Sequence, residues 1–405
     1  MSNNNFLVLR VICLMANYRN THIICLMKVK FTILVVITFL FLSCSKYTDS
    51  DFEYHVTLDN IQNSLCMTDI IDSVKYIKLE TTDVCRVGNV RQTIVKNDRI
   101  YILADGVFCF DMKGKFIFSI NKKGHSRNEY IAINNMNIID DTIYLYDNVS
   151  NKVLAFDSSN GEYVGNTRFS SGVAAVYGLK DMFVIDCHSM HYGDVKNDER
   201  FLLCPQKDIH DIKKSYFSDS EYKLIVDGTT SVNDRGITVS SYFGLKAWKI
   251  SNEGCVAFVE IAIPDKWQLS KSVIAKSINN LVLPSTETTE NKIYGLSNVL
   301  ETVNHIVGKL QYGNNFLYFI YNKKHNQTFF YNTITDIEPW HILPFDFSSS
   351  DGKCLYHVVS SDDISMIRSV CGTGNKTTGR DLKNYEIFCT TEECDNPVVA
   401  QFFLK

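Results

Sequence analysis

The run Asp186-Cys187-His188-Ser189-Met190-His191-Tyr192-Gly193-Asp194 gathers more metal-capable side chains than any other stretch of this sequence. Imidazole nitrogens and carboxylate oxygens suit a divalent cation. His188, His191 and Asp194, with Asp186 as a second carboxylate, could therefore hold one if the loop folds back on itself. The same residues suit a solvated loop, and matches this short arise often by chance. No other cofactor is expected. Ten further cysteines follow Cys44 at irregular intervals, with no Cys-x2-Cys pair and no matching histidine pair, which argues against zinc. Cys109, Cys255 and Cys354 sit in strand-like runs, where cysteine behaves as a small buried hydrophobe. Cys389 and Cys394 flank a short polar stretch and could bridge in an oxidising compartment, although free thiols are the simpler reading.

Signatures of covalent or phosphoryl chemistry are missing. The sequence contains no Gly-x-Ser-x-Gly nucleophile elbow and no phosphate-binding glycine-rich loop. Ser349-Ser350-Asp351-Gly352 lacks the tryptophan of a sialidase-type turn. Paired carboxylates can cleave glycosidic bonds, but the 45 acidic residues offer many chance pairs and no pattern among them. Trp267, just after Pro264-Asp265-Lys266, is expected to be exposed and to offer a ring face to a ligand such as a sugar. Trp248, inside Lys246-Ala247-Trp248-Lys249-Ile250, reads as a core strand residue.

Cys44 carries the best-defined chemistry. The apolar run Phe31–Leu42 is too short to span a bilayer, which takes about 20 residues. It follows Met27-Lys28-Val29-Lys30 and precedes Ser43-Cys44-Ser45-Lys46, the layout of a secretory signal with cleavage before Cys44. Leu42-Ser43-Cys44 resembles a bacterial lipobox, in which the cysteine thiol takes a diacylglycerol; Phe41 stands where that pattern prefers leucine. The expected organisation is an over-extended start over residues 1–26, a lipoprotein signal peptide over 27–43, a lipid anchor and tether over 44–60, and one folded domain over 61–405. Removing residues 1–43 removes Arg10, Arg19, Lys28 and Lys30 and no acid, so the formal charge of −4 becomes −8. A net-acidic surface repels phosphate backbones, and nucleic acid is not an expected partner.

Stepwise along the rest of the chain, a unit repeats. Thr93–Lys96, a turn at Asn97-Asp98, Ile100–Leu103, Val107–Asp111 and Lys115–Ile120 form one copy. Asn137–Ile139, Asp140-Asp141, Ile143–Tyr146, Lys152–Asp157 and Glu162–Val164 form the next. Tyr101 matches Tyr144, Phe110-Asp111 matches Phe156-Asp157, and Gly114 matches Gly161. A weaker copy begins at Leu179, and a late one runs through Asn314–Ile320 and Thr328–Asn332. Four short strands in an antiparallel meander cannot bury both faces alone. Radial stacking solves this, so the expected fold is all-β, a β-propeller of four-stranded antiparallel blades. Val74–Leu79 and Pro397–Leu404 are strands without a complete blade of their own. They are expected to pair with each other, closing the ring and burying Phe402 or Phe403.

Tyr76-Ile77-Lys78-Leu79-Glu80-Thr81-Thr82, Gly114-Lys115-Phe116, Glu129-Tyr130 and the ending Glu392-Glu393-Cys394-Asp395-Asn396-Pro397-Val398-Val399 resemble the six-bladed β-propeller lipoproteins common in Bacteroidetes. So does the late unit around Tyr318 and Tyr331. Members usually carry Gly-Pro-Gly before Glu-Tyr, where this chain has Gly124-His125-Ser126-Arg127-Asn128, so a differently shaped loop is expected here. The resemblance implies a propeller in the cell envelope and no particular reaction.

Two functional classes follow. The first is a non-catalytic lipoprotein, held on the outer membrane by its lipid and binding a glycan, a peptide or a neighbouring envelope protein. The second is a hydrolase or lyase using channel-facing carboxylates or a bound divalent ion. The missing catalytic signatures favour the first, and the residues lining the channel decide between them.

Overall fold

The computed structural model describes residues 52–188, 199–217, 228–280, 282–335, 346–371, 382–392 and 395–405. Six sheets make six blades. Blade 1 is β4 (Gln92–Lys96), β5 (Arg99–Leu103), β6 (Val107–Asp111) and β7 (Phe116–Ile120). Blade 2 is β8 (Ile133–Ile139), β9 (Thr142–Asp147), β10 (Lys152–Asp157) and β11 (Tyr163–Arg168). Blade 3 is β12 (Ala175–Gly178), β13 (Met182–Asp186), β14 (Phe201–Pro205) and β15 (Lys214–Tyr216). Blade 4 is β16 (Thr230–Asn233), β17 (Gly236–Ser241), β18 (Lys246–Ser251) and β19 (Gly254–Ala262). Blade 5 is β20 (Ile293–Glu301), β21 (His305–Tyr312), β22 (Asn315–Asn322) and β23 (Gln327–Thr335). Blade 6 is β24 (Ser349–Ser350), β25 (Leu355–Val359), β26 (Val398–Leu404) and, from the other end of the chain, β3 (Ile71–Lys78).

Closure follows the expected scheme. β26 pairs antiparallel with β3, aligning Val399 with Ile77 and Phe402 with Val74, and Phe402 is fully buried against Phe347. The two family-like motifs meet at this seam. Buried Asn396 donates to the carbonyls of Glu80 and Cys85, while its Oδ1 accepts the Val87 N–H.

The strands read as continuous apolar runs because each blade is covered on both faces. In β5, Tyr101 and Leu103 pack toward blade 2, while Ile100 and Ile102 pack toward blade 6. The same alternation places one apolar core at each of the six blade boundaries. The repeat landmarks serve these boundaries. Asp111 Oδ1 accepts the N–H groups of Lys113 and Lys115, and Asp157 Oδ1 accepts that of Ser159, so each aspartate folds the turn into the outermost strand. Gly114 and Gly161 complete those turns at φ +82° and +74°, where a Cβ would lie 2.0 Å from Lys78 O and 2.5 Å from Phe118 Cδ2. Tyr101 donates to Ser158 O in the next blade at 3.0 Å, and its counterpart Tyr144 accepts from Gln206 of blade 3 at 3.1 Å.

Two features lie outside the repeat. The N-terminal chain adds β1 (Tyr54–Thr57) in parallel to β19 and β2 (Gln62–Cys66) in parallel to β23 before entering blade 6 as β3. Val56 and Leu58 are buried between blades 4 and 5, so these residues, read from sequence as tether, form an outer strap of the propeller. Helices α1 (Lys271–Asn280), α2 (Ser361–Cys371) and α3 (Leu382–Thr390) fill two connections. The first lies in the connection between β19 and β20. The other two form an insertion between β25 and β26, with Ile364, Ile367 and Phe388 packed into the core shared by blades 5 and 6.

Candidate functional site

The first strands of the blades, β4, β8, β12, β16, β20 and β24, surround a central cavity of about 910 Å³. Four of them, β4, β8, β16 and β24, are more polar than the strands behind, whereas β12 (Ala-Val-Tyr-Gly) is not. Gln92-Thr93, Asn134-Asn135, Thr230-Ser231 and Ser348-Ser349-Ser350 line the cavity, whereas β5 offers only apolar residues after Arg99. Several of the amides act as clasps between blades. Gln92 of blade 1 donates to Met136 O at 2.8 Å and accepts from Met136 N at 3.0 Å. Asn135 does the same with Val176 of blade 3, and Asn137 with Gly178, bridging inner strands that backbone alone leaves unpaired.

One end of the channel is open, ringed by Arg86–Arg91, Asn134, Ser348 and the first residues of α2. The other end is crossed by a side chain. Lys96 of blade 1 donates to Ile138 O of blade 2 at 3.1 Å and to Asp234 O of blade 4, opposite it in the ring, at 3.3 Å. Burial lowers the basicity of Lys96, outweighing the opposing fields of Asp234, Asp140 and Asp141. Asp234 is pushed up by the same burial.

The remaining channel acids are mostly engaged. Asp346 Oδ2 accepts from Lys309 Nζ at 2.6 Å and from Asn298 Nδ2 at 2.8 Å, and its carbonyl meets His357 Nδ1. Burial lowers the basicity of His357. Asp395 pairs with Lys78 at 2.9 Å. Among the described residues, no three His, Cys, Asp or Glu side chains converge as metal ligands.

The sequence candidates lie away from this channel lining. His188, at the end of β13 with φ +40°, places Nδ1 2.8 Å from Asp186 Oδ1. Arg200 contacts both oxygens of the same carboxylate at 3.2 Å. Burial pushes the Asp186 carboxyl up, but Arg200 and His188 outweigh it and hold it below the usual range. Cys187 beside it is a buried thiol pushed up to about 12, which keeps it protonated. His191 and Asp194 lie outside the described residues, as does Cys44. Trp267 is half-buried in the single turn Asp265–Trp267, packed against the core of blades 4 and 5 with Lys266 Nζ 4.2 Å from its ring centre. Trp248 is a buried strand residue, as expected. Glu129-Tyr130 is structural: Tyr130 is buried, and Glu129 Oε2 accepts the Ser126 N–H at 2.8 Å. Cys66, Cys85, Cys109, Cys187, Cys204, Cys255, Cys354 and Cys389 are reduced thiols; Cys389 is exposed, and Cys394 lies outside the described residues.

Sequence reasoning missed Gln92, Thr93, Lys96, Asn135 and Asn137. The signal was present as a polar first strand in an otherwise apolar repeat.

Fold and cavity together define a six-bladed propeller whose polar central channel opens at one end and is bridged by a lysine at the other. The chain belongs to the family described as a domain of unknown function, DUF4934, whose model matches residues 53–402. Among solved structures it is similar to one from Bacteroides fragilis named a "putative exported protein", with 16% identity, TM-score 0.67, and coverage of 87% of this chain and all of that one. A member of the duf4221 family from Bacteroides vulgatus gives 9% identity and TM-score 0.47 over 83% of this chain and 97% of that one. No curated protein matches.

Proposed function

We propose that this protein is an exported lipoprotein, anchored in the outer membrane through Cys44, whose propeller binds a ligand in the open channel without transforming it. The carrying observation is the cavity wall. Amides and hydroxyls both donate and accept, and they present a concave, mostly neutral surface to a polar solute. Of the partners considered from sequence, a glycan fits such a wall better than an apolar peptide or a flat protein surface. The membrane supplies the other partner, through the lipid. Asp346 and Asp395 are tied to lysines, which leaves them poorly placed as a freely cycling acid and base.

The channel is tested by blocking it. Ser348→Trp, at an exposed position on the open rim, should abolish saccharide binding in calorimetry without moving the melting temperature. Unchanged binding would remove the channel from the reading, and turnover of a bound glycan would transfer the protein to the hydrolase class. Anchoring is tested separately: the wild type should label with a palmitate analogue and Cys44→Ala should not.

A further inference from the structure

The end of the channel crossed by Lys96 holds a cation with few partners. In blades 4 and 5, Lys249, Lys309 and Lys323 each hold a carboxylate at 2.5–2.6 Å. Lys96 has only the two main-chain carbonyls, and among the described residues no carboxylate lies within ion-pair distance. An ammonium carries three donors, so one is left unassigned. Asp140 and Asp141 act on it from exposed turns, where water screens them, and burial outweighs their fields and that of Asp234 together.

A second group on the same strand is also unsatisfied. Thr93 is 4% exposed and lines the cavity, and its Oγ1 has no hydrogen-bond partner among the described residues. A buried hydroxyl without a partner is costly, so such groups in native proteins often mark where something else binds. Ser231 lines the same cavity, and Asn89, Asn134 and Ser348 add donors and acceptors at its open rim.

We propose that the channel selects a saccharide bearing a carboxylate, with the acid group against Lys96 and a ring hydroxyl on Thr93. This rests on the binding role proposed above and adds the ligand's charge to it. Lys96 would exchange water for a charge-assisted hydrogen bond in a partly desolvated site, where such a bond is worth more than at the surface. Thr93 and the amides would recognise hydroxyls that a peptide of equal charge does not offer.

The probes are uronate oligosaccharides (galacturonate, glucuronate and mannuronate), each beside its methyl ester, which keeps the rings and removes the charge. Calorimetry on the wild type should show at least one free acid bound about tenfold or more tighter than its ester. Lys96→Gln should abolish that preference with the melting temperature retained, and Thr93→Val should weaken acid and ester alike. If Lys96→Gln fails to fold, the acid-to-ester ratio in the wild type decides alone. Equal binding of acid and ester would overturn the inference while leaving a glycan-binding channel intact. Binding of neither, or binding only of peptides ending in a free carboxylate, would overturn both.

Discussion

Blades 1 to 3 are tied together from inside the ring, by Gln92, Asn135 and Asn137 reaching across to the next inner strand. Blades 5 and 6 also share inner contacts, Asn298 to Asp346 and Ser350 to Glu301 O. Blades 4 to 6, however, are bound from outside as well, by an N-terminal chain that runs along β19 and β23 and then supplies the outermost strand of blade 6. In the first half, β7, β11 and β15 end their sheets among the described residues, and bulges at Cys109/Phe110 and Ala155/Phe156 distort the pairing of the first two. The difference shows that a ring needs its boundaries held but does not dictate how. Side-chain amides serve where the repeat is regular. Backbone pairing serves where helical insertions and longer connections have loosened it.

Breaking the outer device should cost most. Deleting residues 397–405 removes β26, which pairs with both β25 and β3, together with buried Val398, Val399, Ala400 and Phe402. Each large side chain is worth about 1.5–3 kcal/mol, against roughly 5–15 kcal/mol for a whole domain. Soluble yield and thermal melting should both collapse; a truncated protein melting at the wild-type temperature would refute the closure.

Leu58→Ala tests the strap alone. Leu58 is fully buried between blades 4 and 5 and donates its N–H to Ala262 O at 2.9 Å. A loss of about 2–5 kcal/mol is expected in denaturant melts. Hydrogen exchange should rise along β19 and β23 and stay unchanged along β9. Uniform exchange would mean that the two halves do not differ in this way.

Acid should strain the strapped half through His305. Burial, aided by Lys323 and His325, lowers this imidazole to about 4, so between about pH 6.5 and 4 the unfolded chain binds a proton the folded one does not. Stability should fall as pH drops through that window, by on the order of 3 kcal/mol. Buried His357 adds to it with the same sign. His305→Asn should flatten the slope; an unaltered slope would assign it elsewhere. Asp186, held low, acts in a lower window: its contribution is present above about pH 3.9 and lost as pH falls through its folded value.

The inside clasp should show a comparable loss at Asn137 and the smallest effect of all at Asn134. Asn137→Ala leaves the N–H and C=O of Gly178 without their partner, at about 1–3 kcal/mol per buried group. Asn134→Ala, exposed and making one bond to Ala174 O, should be nearly neutral. Equal losses at the two positions would show that the clasp is incidental.

Local sequence determined the blades themselves. Continuous apolar strands, Asp-to-Gly turns and the unmatched strands at 74–79 and 397–404 were enough to expect a propeller and its closure, because each depends on neighbours within one hairpin or on an edge that must be paired. The family resemblance set the number of blades at six. The strap was not legible. Tyr54–Thr57 is too short and too polar to announce a strand, and only the free edge of β19 makes it one. The channel was not legible either. Asn137 and Lys96 read as ordinary polar residues until the ring brings inner strands from distant parts of the chain within reach of their side chains. Strand identity is a property of adjacent residues, whereas a site at the axis of a propeller is made by six blades at once.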